Sequence, residues 1–247
     1  MNYFKLLFCL LAFGSFAQVD TTSKTTSSLN LTKHFNEAAY PFWLSLPADS
    51  ILQNNPPVLI FLHGRSLSGT TLELVRKYGV IKEIEHGRAI PAIVIAPQTP
   101  AGKGWDPAKV KNVLDSVRAK YSTDTNRLYV AGMSLGGYGT LGFAGAYPEL
   151  VTAAVALCGG GNVSDGCDLA TVPLWIQHGN ADTAVPISES EKIVRAIRAC
   201  NGGENLKYTV HPGASHGALE RVFRTDEMYD WLFTFDKSIK KLVEEKK

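Results

Sequence analysis

The sequence is poor in cysteine and has neither a run of like charges nor a long apolar segment beyond its first residues. Its 247 residues include 25 Lys and Arg and 23 Asp and Glu, which gives a formal net charge of +2. A nucleic-acid partner would require a basic stripe, and none is visible in the sequence. Metal-ligand patterns such as HExxH, CxxC or a Cys/His cluster are also missing, so the sequence predicts no metal site.

The first residues have the features of a secretory signal peptide. Lys5 precedes an apolar stretch at residues 6–13, and small residues follow at Ser15 and Ala17. The apolar stretch is too short to cross a bilayer, whereas it fits a cleaved signal. We therefore expect a signal peptide at residues 1–17 and a secreted or periplasmic chain without a membrane anchor after cleavage. A core strand in this segment is the disfavoured alternative.

Three cysteines remain after such a cleavage, at positions 158, 167 and 200. An odd number cannot all pair within one chain, so at least one thiol is free or bonded elsewhere. Export permits a disulfide, and the short loop between Cys158 and Cys167 predicts that these two pair. Three free thiols are the alternative.

The rest of the chain alternates between apolar runs and amphipathic stretches. Residues 18–33 are rich in Ser and Thr and predict a flexible leader, followed by one catalytic domain over residues 34–240. Continuous apolar runs are typical of strands buried on both faces of a parallel sheet, and they occur at residues 58–62, 92–96, 128–131, 151–157 and 174–176. Residues 40–46 and 206–210 predict further strands, and helical patterns lie at 106–117, 135–147, 189–199 and 226–235. The fold class is therefore α/β, with a mostly parallel central sheet, helices on both faces and no large cap domain.

One segment indicates nucleophilic catalysis. Gly132-Met133-Ser134-Leu135-Gly136 fits the G-x-S-x-G nucleophile elbow. The pattern is short, but a predicted buried strand precedes it and a helix rich in small residues follows it, which is the context that the motif needs. A glycine-rich turn without catalytic meaning is the alternative. We predict that Ser134 is the nucleophile.

A serine nucleophile needs a base and an orienting acid, which follow it in that fold in the order Ser, acid, His. Asp182 lies in a loop after a predicted strand, at the sheet edge where such folds bind ligands. His216 follows the next predicted strand. We predict Asp182 as the acid and His216 as the base; the competing side chains are Asp165, Asp168 and His211.

The strand at residues 58–62 ends in His63-Gly64-Arg65, which fits the loop that donates one oxyanion N–H. The second donor follows the nucleophile. We therefore assign the oxyanion hole to the backbones of Arg65 and Leu135. The residues expected to line the substrate pocket are His63, Trp105 and Gly160. His63 also fits a structural role in shaping its loop, and Trp105 fits a core position equally well.

These segments resemble the bacterial phospholipase/carboxylesterase-like branch of the α/β-hydrolases, also described as dienelactone-hydrolase-like or predicted-peptidase. The resemblance covers residues 39–235 and includes Ser134-Leu135-Gly136-Gly137, Cys158-Gly159-Gly160-Gly161, His178 to Pro186 and Ser215-His216-Gly217. It implies a sheet of about eight strands and ester hydrolysis through an acyl-enzyme without a cofactor. The sequence departs from HGGG lipases, because Arg65 and Ser66 replace the later glycines.

We therefore expect a serine carboxylic ester hydrolase acting on small-molecule esters with short-acyl or aromatic acids. A serine peptidase acting on small peptides and a non-catalytic binding protein on the same fold are the alternatives. A protein of the last kind would be expected to lack one member of the triad.

Overall fold

The computed structural model describes Met1, residues 30–200 and residues 203–239. Apart from Met1, the predicted signal peptide lies outside the described residues, as do residues 18–29 of the predicted leader. Within the described part of the chain, no helix has both the length and the apolar character needed to cross a membrane.

An eight-stranded sheet in the order β1-β2-β4-β3-β5-β6-β7-β8 forms the centre of the domain. Its strands are β1 (Leu31–His34), β2 (Phe42–Ser45), β3 (Val58–Leu62), β4 (Ile93–Pro97), β5 (Leu128–Met133), β6 (Ala153–Leu157), β7 (Leu174–Gly179) and β8 (Leu206–His211). β1 and β2 run antiparallel to their neighbours, and every other pairing is parallel. These pairings confirm the predicted mostly parallel sheet. The side chains of its inner strands are buried throughout, which explains their continuous apolar runs.

Helices cover both faces of this sheet. The described helices are α1 (Asp49–Leu52), α2 (Val80–Glu85), α3 (Pro107–Arg118), α4 (Leu135–Ala146), α5 (Gly166–Leu169), α6 (Ser188–Ala199) and α7 (Asp226–Phe233). Apolar side chains of α3, α4 and α6 pack on one face. Those of α2, α7 and the 3₁₀ segment His216–Arg224 pack on the other. The predicted three-layer arrangement is therefore confirmed.

β1 includes the last three residues of the predicted leader. β1 begins at Leu31 and pairs with β2, placing Thr32 opposite Leu44 and Lys33 opposite Trp43. β1 is an edge strand with two exposed residues, so its polar sequence lacks the apolar pattern by which a buried strand is recognised.

The predicted Cys158–Cys167 disulfide is wrong. Cys167 in α5 bonds instead to Cys200, which follows the last residue of α6, with 5.0 Å between their Cα atoms. Cys158 is a buried free thiol at the end of β6. Sequence proximity favoured the short loop, but the packing of α5 against α6 brings together two cysteines that are 33 residues apart.

The parallel strands bring the chemically interesting segments to one edge of the sheet. β3, β5, β7 and β8 point the same way, and their carboxyl ends lead to Gly64, Ser134, Asp182 and His216 respectively. Ligands of open α/β sheets bind at this edge.

Candidate active site

Ser134 occupies a strained turn between β5 and α4. Its φ of 60° and ψ of −122° lie in a region that residues with a side chain rarely adopt. Such a conformation costs about 1–3 kcal/mol and persists only where the surroundings enforce it. The Ser134 N–H donates to the carbonyl of Leu157 at 2.8 Å, which ties the turn to the end of β6. The side chain is thereby held at the sheet edge.

The two glycines of the elbow are required by close backbone approach. A Cβ at Gly136 would overlap the carbonyl oxygen of Leu62, so only glycine lets α4 begin directly above the end of β3. A Cβ at Gly132 would overlap the carbonyl of Gly136. The G-x-S-x-G spacing is therefore a packing requirement of this strand–turn–helix unit.

Asp182 and His216 meet in a direct hydrogen bond. His216 Nδ1 lies 2.6 Å from Asp182 Oδ2; the Asp182 side chain is fully buried, whereas the His216 side chain is 24% exposed. His216 begins the segment His216–Arg224, and it lines the same cavity as Ser134. Among the contacts of the described residues, no hydrogen bond joins Ser134 Oγ to the imidazole; such bonds are commonly long in a free enzyme and shorten around substrate.

The carboxylate of Asp182 is held by donors on both oxygens. Its Oδ1 accepts from the N–H groups of Ala184 and Val185, each at 2.9 Å. Burial raises the pKa of Asp182, but the hydrogen bonds from Val185, His216 and Ala184 outweigh it and hold the pKa below its usual value. The group is therefore an anion that can stabilise a protonated His216.

His178 is a second histidine that contacts this carboxylate, and no motif in the sequence indicates a role for it. Its buried ring places Nε2 3.0 Å from the carbonyl of Val185 and 3.3 Å from Asp182 Oδ2. Because both are acceptors, Nε2 carries a proton. Nδ1 lies 2.7 Å from the hydroxyl of Ser190, which also bonds to the carbonyl of Gly159. His178 thus links the loop that carries Asp182 to α6 and fixes the direction of the Asp182 carboxylate.

Cys158, Asp182 and His216 bring their ligand-type atoms within 4.8 Å of one another, which is close enough to hold a metal ion. Burial, reinforced by the charge of Asp182, raises the pKa of the Cys158 thiol to about 12. A metal ligand must be a thiolate, and the facing nitrogen of His216 is already bonded to Asp182. The donor set therefore favours a hydrogen-bonded network over a metal centre.

Arg65 and Leu135, whose backbones are the predicted oxyanion donors, line the same cavity as Ser134. Leu135 is the first residue of α4 and Arg65 the first of a 3₁₀ segment, Arg65–Leu67, so neither N–H has an acceptor in a preceding helical turn. The phenol oxygen of Tyr78 accepts from the Gly64 N–H at 2.7 Å and holds the turn in place. The sequence had not indicated Tyr78.

His63 contacts this turn from the buried side and lines neither of the two cavities at the sheet edge. Its ring is buried, with Nδ1 2.7 Å from the Gly64 carbonyl and Nε2 accepting from the Thr99 N–H at 3.3 Å. Burial lowers the pKa of His63 to about 4, so the imidazole is neutral. These contacts agree with the structural role that the sequence also allowed for His63.

Two connected cavities lie at the sheet edge. The first has a volume of about 460 Å³ and is lined by Gly64, Arg65, Ser66, Tyr78, Met133, Ser134, Leu135, Tyr138, Ala184, Val185, His216, Gly217 and Glu220. The second, of about 520 Å³, is lined by Arg65, Gly104, Trp105, Leu135, Tyr138, Gly139, Ala184, Val185, Pro186 and Glu189. Trp105 lines the second cavity, and whether substrate binds there stays a prediction. Gly160 lines neither of these two, because it is buried against the ring of Tyr138.

The competing acids and base lie elsewhere. Asp165 bonds to Asn162 within the loop after β6, and Asp168 is exposed on α5. His211 Nε2 lies 2.8 Å from Gln177 Oε1 at the ends of β7 and β8. None of these three residues lines either of the two cavities.

Comparison with known proteins places this geometry in a family. Residues 99–230, which contain Ser134, Asp182 and His216, match the dienelactone hydrolase family. A probable acetylxylan esterase A of Neosartorya fischeri is 26% identical over 186 residues, which are 68% of this chain and 48% of that protein. The chain thus spans about half the length of this curated relative.

Two solved structures illustrate the similarity in fold. The crystal structure of a thermostable esterase superposes with a TM-score of 0.70 at 26% identity, covering 84% of this chain and 63% of that one. The feruloyl esterase module from Clostridium thermocellum gives a TM-score of 0.64 at 17% identity, with coverage of 83% and 87%. With the matched residues and the eight-stranded sheet, these similarities establish that the chain belongs to the dienelactone hydrolase family and has the α/β-hydrolase fold.

Proposed function

We propose that this protein is a secreted serine carboxylic ester hydrolase with Ser134 as nucleophile, His216 as general base and Asp182 as orienting acid. The observation that carries the proposal is the placement of Ser134 at a strained elbow in one cavity with His216, whose other nitrogen is bonded to a buried carboxylate. The family and the named relatives, all esterases, support the same reaction class. Secretion rests on the signal-like sequence of the first 17 residues.

The reaction follows from the positions of these groups. Ser134 Oγ attacks the ester carbonyl carbon while its proton passes to His216 Nε2, and Asp182 stabilises the resulting imidazolium. The N–H groups of Leu135 and Arg65 hold the oxyanion, each contributing about 2.7–4 kcal/mol to the transition state. His216 then protonates the departing alcohol. Water repeats the attack on the acyl-enzyme and releases the acid.

The substrates are proposed to be esters of short-chain or aromatic acids with small alcohols, including sugars. The cavities are open at the sheet edge, and the chain between Ser134 and Asp182 forms α4, β6, α5 and β7 with short connections. No inserted segment in this described stretch covers the cavities as a lid. Acetylxylan and feruloyl esterases among the relatives fit both acid classes.

A panel of p-nitrophenyl esters and aminoacyl-p-nitroanilides separates this function from peptidase activity and from a binding role. We expect turnover of acetate and butyrate esters by the wild-type chain, little hydrolysis of the anilides, and no turnover of either by the Ser134→Ala variant. Faster anilide hydrolysis would favour a peptidase. If the protein hydrolyses neither the esters nor the anilides, the binding role is favoured.

A further inference from the structure

The two cavities differ in their relation to the proposed catalytic groups. They share Arg65, Leu135, Tyr138, Ala184 and Val185. Only the first contains Ser134 and His216, whereas the second extends away from them past Gly104 and Trp105. Since Arg65 and Leu135 carry the proposed oxyanion donors, the boundary between the cavities lies where the carbonyl oxygen of a substrate would bind.

The chemistry of ester cleavage requires the alcohol and the acyl group of a substrate to bind on opposite sides of the carbonyl carbon, and therefore in different cavities. The leaving oxygen must reach the imidazole, because His216 donates the proton that releases the alcohol. The alcohol is therefore placed in the first cavity, beside His216, Gly217 and Glu220. The acyl group extends from the carbonyl carbon away from the leaving alcohol, and the cavity on that side is the second one.

We propose, on the basis of the proposed esterase function, that the second cavity is the acyl site and selects a planar aromatic acyl group. Trp105 and Glu189 are then residues that determine acid specificity. The volume of about 520 Å³ is within the range of small-molecule sites, and its walls combine two aromatic side chains with Pro186 and Val185.

Both aromatic walls are fixed before a substrate arrives. The Trp105 indole N–H donates to the His63 carbonyl at 3.1 Å, and its ring makes an edge contact with Tyr40 at 5.5 Å. Gly139 makes room for it, since a Cβ there would lie 2.5 Å from Trp105 Cδ1. A flat ring held in this way binds another ring without losing rotamer freedom.

The second ring is held through a charged partner. The Tyr138 hydroxyl donates to Glu189 Oε2 at 3.0 Å, and Lys192 Nζ bonds to the same oxygen at 2.6 Å. The hydrogen bond from Lys192, helped by that from Tyr138, lowers the pKa of Glu189 despite some desolvation. Because Glu189 lines the same cavity as the two rings, its carboxylate can accept a hydrogen bond from a hydroxyl group on the ring of an aromatic acid and disfavours long alkyl chains.

Two glycines allow a matched test of the assignment of the acyl group to the second cavity and the alcohol to the first. Gly104 lines only the second cavity and Gly217 only the first, and a Cβ built on either meets no atom within 4 Å. Gly104→Leu and Gly217→Leu therefore add the same bulk to open space on opposite sides of the oxyanion donors. Two ratios of kcat/KM are measured for each variant. The acyl ratio compares methyl cinnamate with methyl acetate, and the alcohol ratio compares 4-methylumbelliferyl acetate with methyl acetate.

We expect Gly104→Leu to lower the acyl ratio by about tenfold or more, with little change in the alcohol ratio, and Gly217→Leu to do the reverse. Glu189→Ala and Glu220→Ala form a second pair that deletes a carboxylate without adding bulk, since Glu189 lines only the second cavity and Glu220 only the first. Each should shift the same ratio as the glycine variant on its side. Unchanged acyl ratios in both Gly104→Leu and Glu189→Ala, or a fall in the alcohol ratio in place of the acyl ratio, would overturn the assignment. If the wild-type chain hydrolyses no ester, the proposed function fails and the assignment with it.

Discussion

Replacing Asp182 by Asn would leave the size of the side chain unchanged and reverse the hydrogen bond to the proposed base. Oδ1 accepts from the N–H groups of Ala184 and Val185, so the amide oxygen of Asn must take this position. The opposite orientation would lose these two hydrogen bonds, at about 0.5–1.5 kcal/mol each, and would place the NH₂ group of Asn against the two backbone N–H groups. The NH₂ group therefore replaces Oδ2, 2.6 Å from His216 Nδ1.

His216 can bond to that NH₂ group only through an unprotonated Nδ1. Its single proton then lies on Nε2, where it blocks acceptance of the Ser134 proton. The corresponding tautomer change lowers kcat about 10⁴-fold in chymotrypsin-like serine proteases, which is about 5.4 kcal/mol at 1.36 kcal/mol per factor of ten. We expect a loss of the same order here. The two backbone N–H groups on Oδ1, each at 2.9 Å, outweigh the more distant N–H of His178 near Oδ2 and so impose the same orientation.

Steady-state hydrolysis of p-nitrophenyl acetate by Asp182→Asn measures this loss, with thermal unfolding as the check on folding. Asp168→Asn is the matched control, since it makes the same chemical change on the exposed surface of α5. The control should retain the wild-type kcat. A loss smaller than about tenfold for Asp182→Asn would refute the tautomer argument.

Three further predictions concern the base, the cysteines and the acyl chain. His216→Ala should lower kcat by several orders of magnitude and add little to Ser134→Ala, whereas His211→Ala should be mild; equal damage from the two histidine variants would contradict the choice of base. Peptide mapping at pH 8 should show Cys158 alkylated only in denaturant, because burial keeps its pKa near 12, and Cys167 and Cys200 alkylated only after reduction. Alkylation of Cys167 in unreduced protein would contradict the disulfide. Acetate and butyrate esters should have a higher kcat/KM than palmitate esters, without activation at a lipid interface; a rate that rises beyond eight carbons would contradict the open site.

The fold was predictable where burial is complete. β3, β5 and β6 are buried on both faces, so their residues form continuous apolar runs, and α3 begins with Asp106 and Pro107, a cap that the sequence shows directly. β1 has exposed residues and a polar sequence, so no local apolar pattern marks it as a strand. It becomes one by pairing with β2, which the sequence of β1 does not indicate. The disulfide likewise depends on the packing of α5 against α6.

The site was predictable to the extent that motif order reflects topology. G-x-S-x-G marks an elbow, and the order Ser, acid, His follows from the order of the strands, so Ser134, Asp182 and His216 could be singled out. Residues that only position others by hydrogen bonds belong to no such motif. The contacts of Tyr78 with Gly64 and of His178 with Asp182 form only when the loops have folded together. His63 was predicted to line the pocket or to shape its loop, and only the folded structure shows that its ring is buried and bonded to the Gly64 carbonyl.

The most direct test of the proposed chemistry is the labelling of the intact protein by a fluorophosphonate probe, followed by mass spectrometry of the adduct. A nucleophile activated by His216 is phosphonylated, whereas an ordinary serine is not. We expect one adduct per chain, on the peptide that contains Ser134, and no adduct on a folded Ser134→Ala variant. Labelling of that variant at the wild-type rate, or an adduct on another residue, would contradict the assignment of Ser134 as the nucleophile.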